Sequence, residues 1–352
     1  MKKISFLLVI TIILSMISGC AGTPVVYYTN CTCPVGSHDA APQPDPIVPA
    51  DGAVKTGLYI SAKLSGSNAS DAENGSISYD ITLVAVTVDD AGVITSCIID
   101  SLPATVSLDR NGSIVTDLNA AILTKNELGE NYGMKKTSKI GKEWNEQIDA
   151  LADYAIGKTV DELKNGAVTE SGTPGADLAS SASINLGGFV GGIEGAVANA
   201  QHLGAQAGDE LRFAVIPSLT GSNAEEGKDG KVQLNADVAV ITMNGEIITS
   251  CYIDSLQASV AFDASGALTT DLEATILTKN QLGTNYGMGA ISSIGKEWNE
   301  QAAAFARYVT GKTAADISGI HVSEGKATDA DLASSVTVAI GGFQALIAKA
   351  AK

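Results

Sequence analysis

Ile77-Ser-Tyr79-Asp-Ile81-Thr-Leu83-Val-Ala-Val-Thr-Val88, with the following Asp89-Asp-Ala-Gly92 and Val93-Ile-Thr-Ser-Cys97-Ile-Ile99, decides how this chain folds. Ile77, Tyr79, Ile81 and Leu83 alternate with polar residues, the two-residue period of a strand with one apolar face. The apolar run 84–88 continues that strand, Asp89–Gly92 has turn composition, and Val93 to Ile99 returns as a second strand. Asp109-Arg-Asn-Gly112 reads as a further hairpin turn. The stretch predicts an antiparallel meander.

The same meander occurs twice. Cys97 and Cys251, Trp144 and Trp298, and Phe189 and Phe343 all stand at an offset of 154 residues, and Asp263-Ala-Ser-Gly266 repeats the hairpin turn. In the second half of each copy the period changes. Ile140, Trp144, Ile148, Leu151 and Ala155 fall at helical spacing, as do Ile294, Trp298, Ala302, Phe305 and Val309, which predicts one amphipathic helix per copy laid on the sheet. Gly157 and Gly311 stop these helices, and Thr159-Val-Asp-Glu162 is a capping box that opens a short one, weaker as Thr313-Ala-Ala-Asp316. A hydroxyl-rich tag follows, Asp177-Leu-Ala-Ser180-Ser181-Ala182-Ser183 in one copy and Asp331-Leu-Ala-Ser334-Ser335-Val336-Thr337 in the other, then a last helix led by Gly187-Gly188-Phe189 or Gly341-Gly342-Phe343. The expected class is α+β: two tandem repeats, each an antiparallel sheet followed by packed helices.

Outside the repeats, Met1-Lys2-Lys3 is a basic start, Ile4 to Met16 is apolar, and Ile17-Ser-Gly-Cys20 places small residues before a cysteine. This resembles a bacterial lipoprotein signal, in which residues 1–19 are removed and Cys20 is lipidated, holding the protein on the outer face of the membrane or cell surface. Residues 20–54 carry the lipid site and a proline-bearing spacer, 55–200 the first module and 201–352 the second. Modules of this size and composition are long enough to bury a core each. Losing Lys2 and Lys3 takes the formal net charge from −17 to −19, which argues against nucleic acid and against a basic membrane-binding patch. Cys31 and Cys33 have no partner cluster for a metal site, and Cys97 and Cys251 read as small apolar strand residues.

Several features of each copy resemble the FMN-binding domain of membrane flavin subunits and bacterial surface flavoproteins. They are the strand pair ending in Gly92-Val-Ile-Thr-Ser, the loop Leu128-Gly-Glu-Asn-Tyr-Gly-Met134, the Trp144 helix with its Gly-Lys-Thr stop at 157–159, and the tag. That family carries a D-x-x-[ST]-G-A-[ST] motif whose last hydroxyl takes FMN in a phosphoester bond, installed by a flavin transferase. The resemblance puts Ser183 and Thr337 at the acceptor position and implies binding roles for Asp177, Asp331, Ser180, Ser334 and Ala182. Tyr132, Met134, Tyr286 and Met288 would pack on the isoalloxazine ring. The motif glycine is Ser181 or Ser335 here, and Val336 replaces the motif alanine.

Taken alone, the tag reads as hydroxyl and backbone donors before a helix N-terminus, a weak anion site, or as a solvated, locally capped turn. Lys125 and Lys279, Lys142 and Lys296, and Lys158 and Lys312 are shared cations that could meet a phosphate but more often read as surface or helix-end residues. Trp144 and Trp298 read as core. His38, His202 and His321 are not shared, so no histidine-based hydrolase can be built twice. The carboxylates, among them Asp100, Asp254, Glu143 and Glu297, read as solvated charge.

Two functions compete. The first is a lipid-anchored extracytoplasmic FMN protein, an electron carrier rather than an enzyme with its own substrate, served by a flavin transferase and a redox partner. The second is a non-catalytic surface lipoprotein that keeps the fold without the flavin.

Overall fold

A computed structural model describes residues 52–352, so the leader, Cys20, Cys31, Cys33, His38 and nearly all of the spacer lie outside the described residues. The first module runs β1 (Lys55–Ser67), β2 (Gly75–Val88), β3 (Ile94–Leu108), α1 (Lys125–Leu128), α2 (Trp144–Ala155), α3 (Val160–Ala167) and α4 (Gly187–Ala198). The second runs β4 (Glu210–Ser222), β5 (Gly230–Asn244), β6 (Ile247–Phe262), α5 (Lys279–Leu282), α6 (Trp298–Val309) and α7 (Ala314–Ser318). It continues through the short pair β7 (Val322–Ser323) and β8 (Lys326–Ala327) to α8 (Ala330–Ala333) and α9 (Gly341–Ala350). Each module is an antiparallel sheet, in the order β1-β2-β3 or β4-β5-β6, followed by helices, an α+β arrangement repeated in tandem.

The strands and turns form where alternation and turn chemistry direct them. The Asp109 carboxylate accepts the N–H groups of Asn111 and Ser113, both at 2.8 Å, and closes the predicted turn; Asp263 does the same for Ser265 and Ala267. The long helix begins later than its apolar spacing suggests. Ile140 and Ile294 precede it, because Glu143 and Glu297 are the N-caps, their own N–H groups donating to Glu146 and Glu300 at 2.7 and 2.8 Å.

Both faces of both sheets are buried. On one side α2 and α4 cover the first sheet through Trp144, Ile148, Leu151, Val190 and Ile193, and α6 and α9 cover the second through Trp298, Phe305, Phe343 and Leu346. On the other side the two sheets share one core, in which Leu58, Ile60, Tyr79, Ile81 and Leu83 meet Val232, Leu234, Val238, Val260 and Phe262. The run Val84–Val88 records this two-sided burial, since a strand covered on both faces loses its alternation. The modules therefore bury more together than the separate cores expected of them.

The junction is reciprocal. Ala69 N–H donates to Gly266 O at 3.0 Å and Ala224 N–H to Gly112 O at 2.8 Å; Leu268 N–H reaches Asn68 Oδ1 and Ile114 N–H reaches Asn223 Oδ1, both at 2.9 Å. Such exchange of equivalent contacts is the signature of a two-fold interface, here between halves of one chain. Gly112 and Gly266 sit at its centre with φ of 65° and 73°, and a Cβ on either would fall within 2.6 Å of the opposite turn's carbonyl oxygen. Both the backbone conformation and the close approach exclude larger residues there.

Candidate functional site

The first turns of α2 and α6 organise the tags. Gln147 is fully buried, and its Oε1 accepts the Ser183 N–H at 2.7 Å, the Ser183 hydroxyl at 3.2 Å and the Ile184 N–H at 3.3 Å. Its Nε2 donates to Lys142 O at 3.0 Å and Ser138 Oγ at 3.3 Å, and lies 3.6 Å from Met134 Sδ. Gln301 repeats the pattern on Thr337, with 2.8 Å to the N–H, 3.2 Å to the hydroxyl and 3.1 Å to the Val338 N–H, its own Nε2 reaching Lys296 O, Ser292 Oγ and Met288 Sδ. One turn earlier, the buried carboxylates of Glu143 and Glu297 accept the Met134 and Met288 N–H groups, each at 2.8 Å. The glycine-bearing loop and the tag are thus tied to the same helix turn, in both modules.

This arrangement brings together most of the residues singled out from the sequence. Ser183 is exposed and Thr337 half-buried, while Tyr132, Met134, Tyr286 and Met288 are half-buried beside them. Ala182 and Val336 are buried within the helix–sheet cores, so the alanine slot of the tag is a packing slot that valine also fills. Ser180, Ser334, Asp177 and Asp331 face outward. Asp177 accepts the Tyr154 hydroxyl at 3.2 Å, and its charge contributes to holding that phenol above its ordinary value, burial being the larger cause. Asp331 caps nothing; Asp329 caps α8 through the N–H groups of Asp331 and Leu332. At Ser181 and Ser335 the chain makes an ordinary right-handed turn, with N–H bonds back to Leu178 and Leu332, and Glu324 alone among described non-glycine residues has positive φ. Glycine is not required there for the backbone.

Around Trp144 a second cluster closes the site. Phe189, from the first turn of α4, meets the Trp144 ring edge-on at 5.8 Å, and Phe343 meets Trp298 at 5.9 Å. Lys125 is buried, with Nζ 5.1 Å from the Trp144 ring and 5.4 Å from that of Tyr132; Lys279 Nζ lies 4.7 and 5.3 Å from Trp298 and Tyr286. These lysines are cations held against aromatic faces rather than solvated surface charge, and burial pushes the Lys279 ammonium below its ordinary value. Lys158 behaves as a helix-end residue, donating to Tyr154 O at 2.6 Å. The Gly187 N–H that was expected to face an anion is instead bonded to Asn185 Oδ1 at 3.0 Å.

Asp100 and Asp254 are buried, contrary to their reading as solvated charge. Each accepts the following residue's N–H at 2.7 Å and that of Asn126 or Asn280 at 3.1 Å, latching α1 and α5 to the strands behind them. Burial pushes both carboxyls up to about 6 despite those bonds. Cys97 and Cys251 stand in β3 and β6, and burial pushes the Cys97 thiol up to about 12, away from thiolate chemistry. Among the described residues no group of three or more His, Cys, Asp or Glu comes together to hold a metal. His202 pairs with Asp90 at 3.0 Å, away from the tags.

Sequence reasoning missed Gln147 and Gln301, and Glu143 and Glu297, read from the sequence as solvated charge, are buried. Their signal was present: Glu143-Trp-Asn-Glu-Gln147 and Glu297-Trp-Asn-Glu-Gln301 are identical, and Gln147 falls on the apolar stripe three residues after Trp144. A polar residue on a buried stripe implies a buried partner.

In each module the tag's last hydroxyl donates inward to the buried glutamine, and half-buried aromatic and thioether side chains stand beside it. Asn145 and Asn299, on the same helix turn, carry buried Oδ1 atoms without a hydrogen-bond partner among the described residues. No family model matches the chain, and neither a curated protein nor a solved structure matches it significantly.

Proposed function

We propose that the chain is a lipid-anchored, extracytoplasmic carrier with two FMN sites, one at Ser183 and one at Thr337. The observation that supports this reading is the hydroxyl at the acceptor position, which each module holds on a buried glutamine shared with the Met134 or Met288 loop. The glutamine fixes the hydroxyl's position without removing its proton, since a neutral amide is no base, so a phosphoester at either oxygen would be installed by a separate transferase. Tyr132 and Met134, or Tyr286 and Met288, would hold the ring, with Asn145 or Asn299 offering an acceptor. Bound flavin would supply the one- and two-electron chemistry, and the protein would set its position and potential. Lipid on Cys20 would place both sites at the membrane surface.

The test is to produce residues 21–352 with and without a flavin transferase, denature in acid, and ask whether yellow colour stays with the polypeptide. Retained colour supports the carrier. A colourless chain that also fails to bind free FMN supports a second reading, a two-module binding scaffold. That reading is favoured by the structural use of the same hydroxyls, whose bonds to Gln147 and Gln301 already complete a buried network.

A further inference from the structure

The two halves differ most where each presents the free edge of its sheet. Thr56 exchanges backbone bonds with Gln201 outside the sheet, and Leu58 O accepts Asn199 Nδ2 at 3.0 Å, so the even-numbered residues of β1 turn their N–H and C=O groups away from β2. Ile60 and Ala62 come next in that series, and no group among the described residues meets their outward backbone atoms.

The equivalent edge of the second half is closed. Upstream of the Asp89 turn the copies are offset by 155 residues (Gly66 and Gly221, Thr87 and Thr242), so Ile60 corresponds to Val215 and Ala62 to Pro217. Val215 O accepts Lys349 Nζ at 2.8 Å, the same ammonium pairs with Glu127, and Pro217 has no N–H to offer. At the first half's edge Gly195 stands where the second half has Lys349, the second half's Gln281 stands where the first half offers Glu127, and the Tyr59 ring packs over Gly195, where a Cβ would fall within 2.3 Å of it. An aromatic ring occupies the place of the lysine stem, and among the described residues no group bonds to the Ile60 carbonyl where the ammonium would lie.

A cleft of about 220 Å³ results, with Tyr59 to Lys63 on one wall and Leu272 to Leu277 with Gln281 on the other. The chemistry at its mouth is inverted relative to the closed edge. Gln281 Oε1 is occupied by the Thr278 N–H at 2.9 Å, so its Nε2 occupies the position from which Glu127 accepts the lysine. The cleft therefore offers donors and acceptors in alternation: Ile60 N–H and C=O, Ala62 N–H and C=O, and Gln281 Nε2. That pattern complements a peptide backbone.

We propose that the β1 edge at Ile60–Ala62 binds a short extended peptide, which adds to the sheet as a fourth strand between β1 and the 272–277 segment. At about 3.3 Å per residue the free edge spans about three peptide residues. Edges of this kind are ordinarily blocked by proline or lysine; the second half has Pro217 and the Lys349 bond to Val215 O, whereas Ala62 and Gly195 stand at those positions in the first half, whose Lys63 makes no hydrogen bond to the edge.

The probe is acetyl-Ala-Ala-Ala-amide, an uncharged peptide insensitive to the protein's net charge, titrated into residues 21–352 and followed by NMR. A62P copies the proline that the second half already holds at this position and removes no ladder hydrogen bond. Q281E copies Glu127 and removes the Nε2 donor while keeping the capping acceptor. Saturable binding to the wild type is expected, weakened at least about tenfold by A62P, by Q281E and by N-methylation of the central peptide bond. No saturable binding, or equal binding to wild type and both folded variants, overturns the assignment; if A62P does not fold, Q281E and the N-methylated peptide still decide.

Discussion

Gln147 Oε1 accepts both the backbone N–H and the hydroxyl of Ser183, at 2.7 and 3.2 Å, from a side chain with no exposure to solvent. Removing the carboxamide would leave the N–H groups of Ser183 and Ile184 without an acceptor and the Lys142 carbonyl without a donor. Buried unmet groups cost about 1–3 kcal/mol each, partly relieved by water entry. Gln147→Ala is expected to destabilise the protein by about 2–4 kcal/mol, and Gln301→Ala comparably. Thermal or urea unfolding of each variant checks this. Unchanged midpoints would mean that the clamp contributes nothing.

The shared core predicts that neither half stands alone as a monomer. Residues 52–203 by themselves would expose Leu58, Ile60, Tyr79, Ile81 and Leu83 together, a contiguous apolar face larger than monomers ordinarily show. Size-exclusion chromatography should find this fragment dimeric or aggregated, and its co-expression with residues 204–352 should restore a soluble complex. A well-behaved monomeric fragment would contradict the two-sheet core.

These two features mark how much of the protein was legible in its sequence. Alternation at Ile77–Leu83, the Asp109 and Asp263 turns and the Thr159 capping box rest on local chemistry, and each forms where local rules place it. β1 and β4 were not singled out, because Gly57, Lys63 and Gly66, or Arg212, Pro217 and Gly221, interrupt their alternation. The pairing of the sheets is a long-range choice that no window of sequence records, although the unbroken run Val84–Val88 already called for cover on both faces. At the site, hydroxyls and aromatics drew attention by type. Gln147 and Asp100 did not, since only burial turns an amide into a clamp or a carboxylate into a perturbed acid.

Asp100 and Asp254 give stability a pH dependence of definite sign. Their carboxyls are raised from 3.8 to about 6 by burial, so between about pH 4 and 6 the folded chain holds protons that the unfolded chain has released. Their contribution is present below about pH 4 and is lost as pH rises through about 6, on the order of 3 kcal/mol for each group. Asp109 and Asp263, lowered by turn hydrogen bonds, act in the opposite direction. The contrast between wild type and Asp100→Asn/Asp254→Asn isolates the buried pair. Urea midpoints measured from pH 4 to 7 should fall further with rising pH in the wild type; parallel curves would contradict the assignment.

Introducing the motif glycine separates access from folding. Because Ser181 and Ser335 sit in right-handed turns, Ser181→Gly and Ser335→Gly should lower stability by no more than about 1 kcal/mol. Removing the two side chains beside the acceptors should raise flavin incorporation by the transferase. Absorbance of the purified variants against that of the wild type measures it; equal incorporation would mean that the serines do not limit approach.

The most direct measurement is intact-mass and peptide-mapping spectrometry of residues 21–352 produced with a flavin transferase, compared with Ser183→Ala, Thr337→Ala and the double variant. The account predicts flavin adducts confined to the peptides bearing Ser183 and Thr337, one lost with each single substitution and none left in the double variant. A chain of unmodified mass, or an adduct that survives both substitutions, would contradict it.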